Sequence, residues 1–338
     1  MSTHVEKIAY HAITTLLSTS LILLGIILFI FCKKKPVESE ENPSTKNCAH
    51  HYSLIDVDAA TDGFNHRRII GKGHLGTVYA AVLTSGQLVA VKRIHSWIVL
   101  SHAGLGFSSI LKSLSLAHHP HVVPTLGFSE APGERIIIME FVGMKSLEFY
   151  LHQNSDGASL LDWGRRLRIA AGVAEGVKYL HEVMVPHVVH GCIKPSNILI
   201  DVNFRAKVCD YGLYFLAPQE LKGLEGYVDD EYWVERMVAS KECDVYGFGV
   251  VLLELLSGRK SEDGLLVHWA LPLIKEMKIS EILDPRLVIP FDLKPLVRLA
   301  KVALACVGNF RKNRPSIAQV ATILTNLNLE LCFDSFEK

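Results

Sequence analysis

The glycines of residues 71–78 are the first residues along the chain whose type and spacing could support chemistry. Gly71, Gly73, Gly76 and Val78 follow the pattern G-x-G-x-x-G-x-V. Glycines at this spacing let backbone N–H groups approach phosphates closely. Taken alone the pattern is at least as well explained by a plain hairpin turn. A dinucleotide-binding loop requires a helix at the third glycine, and here the strand-like run TVYAAVL follows instead.

Further polar residues follow this loop in a fixed order. Lys92 ends the run Val89-Ala90-Val91-Lys92 and lies sixteen residues after Gly76. Lys194 and Asn197 lie in VVHGCIKPSNILID (188–201), and Asp210 opens a turn with Tyr211 and Gly212. Together these resemble the nucleotide site of a protein kinase. The resemblance implies that Lys92 grips the α- and β-phosphates, and that Asn197 and Asp210 hold Mg²⁺ on ATP. It implies nucleotide contacts from nine residues: Gly71, Gly73, Gly76, Val78, Ala90, Lys92, Lys194, Asn197 and Leu199.

The resemblance fails at the catalytic positions. Kinases have His-Arg-Asp where this chain has His190-Gly191-Cys192, so the proton-accepting Asp is replaced by Cys192. The helix Glu that pairs with the strand Lys falls on Ile110, and no Asp or Glu lies between Lys92 and Glu130. Residues 210–231 contain no Ser or Thr to phosphorylate. Cys192 could be a new nucleophile, but a small buried thiol that fills space is the favoured interpretation. No intact catalytic residue is therefore expected.

Longer segments narrow the resemblance to plant receptor-like kinases of the crinkly-related group. They are ATDGF (60–64), LDWGRRLRIAAGVAEGVKYLH (161–181), KECDVYGFGVVLLELLSGRK (241–260) and NRPS (313–316), and the similarity covers about residues 53–330. It implies that Asp244 braces the backbone of the catalytic loop. It also implies a buried ion pair between Glu231 and Arg314 that fixes the C-terminal lobe.

Composition excludes several other classes. Lys+Arg and Asp+Glu are 35 each, so bulk charge does not favour nucleic-acid binding. The seven cysteines are scattered without a C-x-x-C pair, which argues against a disulfide framework and a zinc site.

The chain begins with a predicted membrane anchor. Residues 12–32 are mostly apolar, long enough for a bilayer, and end in three lysines (33–35), which favours a cytoplasmic C-terminal side. The alternative is a cleaved signal peptide, but the run is too long and lacks a small-x-small site. Residues 1–11 would lie outside, and Cys32 at the membrane edge could be palmitoylated or idle. Residues 33–52 are polar and aperiodic, which predicts a flexible linker.

Strand signals precede helical ones, which predicts an α+β bilobal kinase-like domain over residues 53–332. We expect a small β-rich N-lobe (65–141), with two or three antiparallel strands between residues 69 and 94, and a larger helical C-lobe (142–332). The run 245–256 is too short to span a membrane and contains Glu254, so it predicts a buried helix.

These features predict a plasma-membrane pseudokinase that binds ATP and Mg²⁺ weakly and acts as scaffold or allosteric partner of another receptor-like kinase. A weakly active serine/threonine kinase and an interaction module without nucleotide binding remain as alternatives. The apolar residues Ile110, Leu111, Leu114 and Leu116 could form the contact surface, or could only pack against their own lobe.

Overall fold

A computed structural model describes residues 17, 19–20, 48–100, 106–143, 145–154, 160–216, 224–234, 238–262 and 264–334, with side chains to residue 330. The chain divides into two units, 1–46 and 47–338. The predicted anchor (12–32) and most of the predicted linker lie outside the described residues. Within the described part, no helix has both the length and the apolar character that crossing a membrane would need.

The N-lobe is a six-stranded sheet in the order β1-β5-β6-β4-β3-β2. Its strands are rich in β-branched residues, which pack well on a pleated surface. They are β1 His50–His51, β2 Ile69–Lys72, β3 Gly76–Val82, β4 Leu88–Ile94, β5 Thr125–Ala131 and β6 Glu134–Glu140. Strands β2, β3 and β4 are antiparallel neighbours, as the sequence predicts for residues 69–94.

The folded unit begins before residue 53, where the sequence pattern placed the end of the linker. Strand β1 pairs in parallel with β5, with His50 opposite Gly127. Ala49 is buried, and its backbone N–H donates to Ser115 Oγ at 2.8 Å. Backbone pairing with the edge of the sheet holds this two-residue strand in place. Its side chains are exposed and form no hydrophobic pattern, so the sequence did not predict it.

Three short helices belong to the N-lobe: α1 Leu54–Ala60, α2 Ser96–Leu100 and α3 Phe107–Leu114. Ser53 caps α1, since its Oγ accepts from the backbone N–H of Asp56 at 3.1 Å. Helix α3 packs beside the sheet and buries Phe107 and Leu111 completely.

The C-lobe is helical, with α4 Trp163–Lys178, α5 Asp230–Val234, α6 Lys241–Ser257, α7 Leu265–Lys275, α8 Lys294–Cys306 and α9 Ile317–Asp334. A two-stranded ribbon, β7 Ile198–Ile200 and β8 Ala206–Val208, lies at the junction of the lobes. Short 3-10 turns include 195–197, 213–216 and 311–313, and π turns cover 149–153 and 179–183.

Helix α6 is the centre of the C-lobe. Almost every residue from Cys243 to Ser257 is buried, including Glu254, so the predicted buried helix over 245–256 is confirmed. A helix that is apolar on all sides requires neighbours all round, and α4, α7 and α8 supply them. The predicted bilobal α+β fold is confirmed, and its ribbon and turns place the polar residues between the lobes.

Candidate functional site

The glycine-rich loop joins β2 to β3, with Gly71 opposite Val78 and a hydrogen bond from Gly73 N–H to Gly76 O at 2.9 Å. A Cβ on Gly76 would lie 2.1 Å from Arg93 O, so the close approach of β4 demands glycine there. Cβ atoms at Gly71 and Gly73 would meet nothing nearer than 3.9 Å. Packing therefore explains one glycine, and leaves Gly71 and Gly73 as the two that the fold itself does not require.

An aromatic cluster, which sequence reasoning missed, holds this loop near β4. His95 follows β4, and its Nε2 lies 3.2 Å from Gly73 O. Its ring stacks on Trp97 at 6.1 Å, and its backbone N–H donates to Leu75 O at 3.0 Å. These contacts of His95 fix the glycine-rich loop against the end of β4.

Lys92 lies in the middle of β4 and is only 6% exposed. Its ammonium forms an ion pair with Oδ2 of Asp210. Ile110 is half-buried on α3, and α3 carries no acidic side chain. A buried ammonium needs a counter-charge or loses its proton, and Asp210 provides that charge in place of the absent helix carboxylate.

Asp244 braces the catalytic loop, as the resemblance implied. Its carboxylate accepts from the backbone N–H groups of His190 at 2.7 Å and Gly191 at 2.8 Å. His181 Nε2 lies 2.8 Å from the same carboxylate. The loop around the altered positions is therefore rigidly held.

The two predicted metal ligands lie on adjacent turns. Asn197 Nδ2 donates to Cys192 O at 3.0 Å, and Asn197 O accepts from the backbone N–H of Cys209, which precedes Asp210. Asp210 adopts a left-handed backbone conformation, with φ of 62°. Its Oδ1 is buried and has no hydrogen-bond partner among the described residues. An orphaned carboxylate oxygen beside an amide side chain suits a hard cation.

The remaining predicted nucleotide contacts line the same region. Val78 pairs with Lys92 across β3 and β4, and Ala90 is buried in β4 opposite Met139. Leu199 is half-buried in β7, and Lys194 directly precedes the turn that carries Asn197. The predicted set thus lies at the junction of the lobes.

Cys192 takes the place of the catalytic base. Burial raises the pKa of its thiol, so the sulfur stays protonated near neutral pH. The neighbouring His190 is fully buried, and burial lowers the pKa of its imidazole. A protonated thiol next to a neutral imidazole is a poor proton acceptor for an attacking hydroxyl.

Gly191, at the usual Arg position, lies under an aromatic ring. Its φ is +81°, and a Cβ there would lie 2.6 Å from Tyr214 Cδ1. Tyr214 belongs to the turn that follows Asp210 and is 44% exposed. Sequence reasoning missed this contact, which leaves no room for an Arg side chain.

Tyr211 replaces the Phe usual in kinases and packs under α3. It is buried, and its hydroxyl donates to Val123 O at 3.0 Å and lies 3.4 Å from Leu114 O. Burial raises the pKa of Tyr211 to about 12. The hydroxyl therefore adds hydrogen bonds that Phe could not make.

The implied pair between Glu231 and Arg314 is wrong. Arg314 Nη1 donates to Asp229 Oδ2, and Arg311 binds both Asp229 oxygens at 2.9 and 3.0 Å. Glu231 has a 39% exposed side chain, accepts from the backbone N–H of Arg311 at 3.3 Å, and lies 3.8 Å from Arg311 Nε. Asp229 also caps α5, since its Oδ1 accepts from the backbone N–H of Tyr232 at 2.8 Å, and this cap turns the carboxylate inward.

Of the two interpretations of the apolar stripe, burial favours packing against its own lobe. Leu111 and Leu114 are 0% and 4% exposed. Ile110 and Leu116 are half-buried and pack against the same core. This apolar stripe is satisfied within its own lobe.

Comparisons with known proteins agree with this geometry. The sequence pattern of the family described as "Protein tyrosine and serine/threonine kinase" matches residues 64–324. The chain is 36% identical over 289 residues to phytosulfokine receptor 1, and 34% identical over 309 residues to the proline-rich receptor-like protein kinase PERK8, both of Arabidopsis thaliana. These matches cover 81% and 86% of this chain, which spans only 28% and 45% of the two relatives.

A solved structure is similar over most of the chain. It is described as the pseudokinase domain of BIR2, an immune regulator of the RLK/Pelle family. The TM-score is 0.71 at 32% sequence identity, and the match covers 88% of this chain and 89% of the other.

Proposed function

The chain belongs to the protein tyrosine and serine/threonine kinase family, with plant receptor-like kinases among its homologues, and on this premise we propose that it is a membrane-anchored pseudokinase. It binds ATP weakly and works in receptor-kinase signalling as a scaffold or allosteric partner.

The observation that carries the proposal is that Cys192 stands at the position of the catalytic base, where burial raises the pKa of its thiol. Asp244 still holds the backbone of that loop at His190 and Gly191. A catalytic base contributes about 10²–10⁴-fold, or about 3–5 kcal/mol of the barrier. A chain that keeps Asp244 but lacks the catalytic base retains the fold and loses most of the rate of phosphoryl transfer.

Lys92 supports the same conclusion. Active kinases position this Lys with a Glu from the adjacent helix, and here Ile110 occupies that position. Lys92 instead pairs with Asp210, the residue that a bound metal would need. The pair occupies Oδ2 of Asp210 and leaves Oδ1 for a metal, which lowers the affinity for Mg-ATP.

Kinases generally use ATP with Mg²⁺, and several residues fit that ligand. Asp210 and Asn197 would supply oxygen ligands to the metal, consistent with the orphaned Asp210 Oδ1. Gly71 and Gly73 leave room for phosphate, and Lys92 supplies charge. When bound, Mg²⁺ would neutralise charge on the phosphates. We assign this site a binding role of low affinity.

The alternative with specific support is a weakly active serine/threonine kinase. Phosphoryl transfer asks mainly for positioning and charge stabilisation, and Asn197 and Asp210 are both present on their turns. The loss of the base and of the Lys92 partner together favours the pseudokinase.

The membrane anchor and the receptor-kinase partner rest on the sequence and on the relatives. Residues 12–32 have the length and composition of a spanning helix, and lysines 33–35 favour a cytoplasmic kinase-like domain at the plasma membrane. A tether holds the domain at high effective concentration near other membrane kinases. The similarity to the pseudokinase domain of an immune regulator supports a non-catalytic role.

Proximity labelling in plant cells tests the scaffold role. The full chain is compared with a chain lacking residues 1–35, and with the same truncated chain carrying an unrelated lipid anchor as control. We expect both anchored forms to enrich a receptor kinase that the soluble form does not. Equal labelling of receptor kinases by all three forms would remove the support for a tethered scaffold.

A further inference from the structure

Three apolar side chains project into solvent from residues 287–293, the loop that precedes α8. Val288, Ile289 and Phe291 are 89%, 54% and 105% exposed. Phe291 is thus as accessible as it would be in an extended peptide. A group of exposed apolar side chains on a folded domain marks a surface that binds another molecule or a membrane. The proposed function gives this loop no role.

The fold holds the backbone of the 287–293 loop in place. Val288 O accepts a hydrogen bond from Trp163 Nε1 at 2.9 Å, which fixes the loop against the start of α4. Asp292 Oδ1 accepts from the backbone N–H of Lys294 at 2.9 Å, which fixes its end at the start of α8. Pro290 between them restricts the backbone further. The apolar side chains are therefore displayed from a defined backbone.

A basic stripe lies on α8, directly after the loop. Lys294, Arg298 and Lys301 recur at i, i+4 and i+7, which places them on one face of the helix. All three are exposed, whereas Leu296 and Leu299 on the opposite face are buried. Helix α8 itself contains no Asp or Glu. The exposed face of α8 is therefore positive.

Two carboxylates lie beside the basic stripe, and neither removes its charge. Glu330 of α9 pairs with Arg298 at 2.6 Å, but both side chains are about half exposed, so this pair is weak. Asp292 lies at the N-terminus of α8, where the helix amides favour a negative charge. Lys294 and Lys301 form no ion pair within the described part of the chain. Their ammonium groups are therefore available to an external anion.

An apolar tip beside a basic stripe complements the surface of an anionic bilayer. Apolar side chains enter the boundary between headgroups and acyl chains, while lysines contact the lipid phosphates. A protein partner would need a complementary pocket for the fully exposed ring of Phe291. A fluid bilayer needs no such pocket, so it suits side chains that project from a loop.

The proposed membrane anchor brings such a surface within reach. Only residues 33–47 separate the predicted span from the described part of the folded unit. A chain of about fifteen residues extends at most about 50 Å. Tethering raises the effective concentration of the membrane surface, so that a weak contact is sufficient.

We propose that the 287–293 loop and the basic stripe of α8 form a surface that docks the kinase-like domain onto an anionic membrane. Val288, Ile289 and Phe291 enter the interfacial layer, and Lys294 and Lys301 contact lipid phosphates. The tether in this proposal rests on the proposed anchor. Docking fixes the orientation of the domain, so a receptor kinase in the same membrane meets one defined face of it.

Fluorescence quenching in vesicles tests this surface. The full chain is reconstituted into phosphatidylcholine alone or into phosphatidylcholine with added phosphatidylserine, and brominated phosphatidylcholine is the quencher. Phe291→Trp places the probe on the loop, and the signal of the four native tryptophans is subtracted. Val183→Trp is the matched control, since Val183 is 61% exposed and lies roughly 30 Å from Trp163 along α4 and the π turn that follows it.

In anionic vesicles we expect the Phe291→Trp probe to be quenched at least threefold more than the Val183→Trp probe. Removing the phosphatidylserine should lower the quenching of the Phe291→Trp probe at least twofold, because the lysines then lose their anionic partners. Adding Lys301→Glu should lower it at least twofold as well. Lys112→Glu, the same charge change on an exposed residue of α3, should leave it unchanged.

Two results would overturn the docking surface. One is equal quenching of the two probes, or quenching that ignores Lys301→Glu. The other is blue-shifted emission of the Phe291→Trp probe without quenching, which would indicate that a second copy of the chain covers the loop.

The anchor is measured separately, by flotation with the vesicles after a high-salt wash. A chain that the wash removes would refute the anchor, whereas quenching of the Phe291→Trp probe on anionic vesicles before the wash would still support the docking surface. A chain that resists the wash but shows no quenching at this position would refute the docking surface alone.

Discussion

At the scale of single residues, the proposed loss of catalysis rests on two features, the thiol of Cys192 and the ion pair of Lys92. Restoring one of them leaves the other fault in place, because the effects of residues that act as a unit are not additive. We therefore predict that Cys192→Asp alone raises γ-phosphate transfer to a generic protein substrate by less than about tenfold, although a base in an intact site contributes about 10²–10⁴-fold.

The measurement uses radiolabelled ATP with Mg²⁺ and compares Cys192→Asp with the double variant Cys192→Asp, Ile110→Glu. The double variant should be the more active of the two. A hundredfold gain from Cys192→Asp alone would show that Lys92 is already placed for transfer.

Gly191 supports a second prediction, since its position is fixed by the ring of Tyr214. Gly191→Arg, which restores the family residue, should destabilise the fold by about 1–3 kcal/mol, because a side chain at φ +81° is strained and its Cβ would overlap the ring. Urea unfolding measures the loss. Gly191→Arg combined with Tyr214→Ala should recover part of it, and no recovery would mean that the ring is not the obstacle.

The family spacing predicted the order of Lys92, Asn197 and Asp210 along the chain, and the structure brings Lys92 and Asp210 together in an ion pair. The contact between Gly191 and Tyr214 was not predictable. These residues are apart in sequence, and only the fold of the turn at 213–216 brings the ring over the glycine. Likewise, the spacing predicts that the helix Glu is replaced by Ile110. It does not predict that Asp210 takes over as the ion-pair partner of Lys92.

At the scale of elements, Asp229 joins the end of the activation segment to the turn that carries Arg311 and Arg314. Its side chain is 3% exposed, and removing its charge would leave the buried guanidinium of Arg314 without an ion-pair partner. We predict that Asp229→Asn lowers the free energy of unfolding by about 3–5 kcal/mol at neutral pH. Glu231→Gln is the control and should change it by less than about 1 kcal/mol, since that side chain is 39% exposed.

The pH dependence gives this prediction a second readout. Burial raises the pKa of Asp229, but hydrogen bonds from Arg311 and Arg314 lower it by more, so the folded pKa lies below the ordinary value. The carboxylate then stabilises the fold above the unfolded pKa of about 3.9, and this stabilisation is lost as pH falls through the folded pKa. Asp229→Asn should therefore lose less stability than the wild-type chain between pH 6 and pH 3. Equal losses would show that this carboxylate does not titrate with unfolding.

Periodicity predicted the elements themselves well, and it failed where the direction of a side chain decided the outcome. The apolar run of α6 is buried on every side, so its pattern admitted one interpretation. The stripe on α3 could face outward or inward, and only the packed sheet shows that it faces inward. Asp229 and Glu231 are two residues apart, and the cap at the start of α5 selects Asp229 to face Arg314.

At the scale of the whole molecule, the residues that we propose to hold nucleotide lie at the junction of the two lobes. We predict that Mg-ATP raises the melting temperature of the full chain only at high concentration, since a ligand at 100 times its Kd adds about 2.7 kcal/mol. Lys92→Ala should abolish the shift, because it removes the charge that meets the phosphates. Lys112→Ala, which removes an exposed lysine from α3, is the matched control and should keep it.

The quantity compared is the rise in melting temperature on adding Mg-ATP. The melting temperature without ligand is not compared, because Lys92→Ala also leaves Asp210 without its ion-pair partner and so changes the starting stability. A full Mg-ATP shift that persists in Lys92→Ala would mean that the nucleotide binds elsewhere. A chain with no shift at any concentration would favour an interaction module that binds no nucleotide.

The most direct test of the central claim is phosphate transfer by the full chain itself. Purified wild-type chain and the Asp210→Ala variant are incubated with radiolabelled ATP and Mg²⁺, and phosphate incorporated into the chain and into a generic substrate is counted over time. With a protonated Cys192 in place of the base, we predict only trace incorporation that is the same for both proteins. Steady incorporation by the wild-type chain that disappears in Asp210→Ala would show an active kinase and contradict the account.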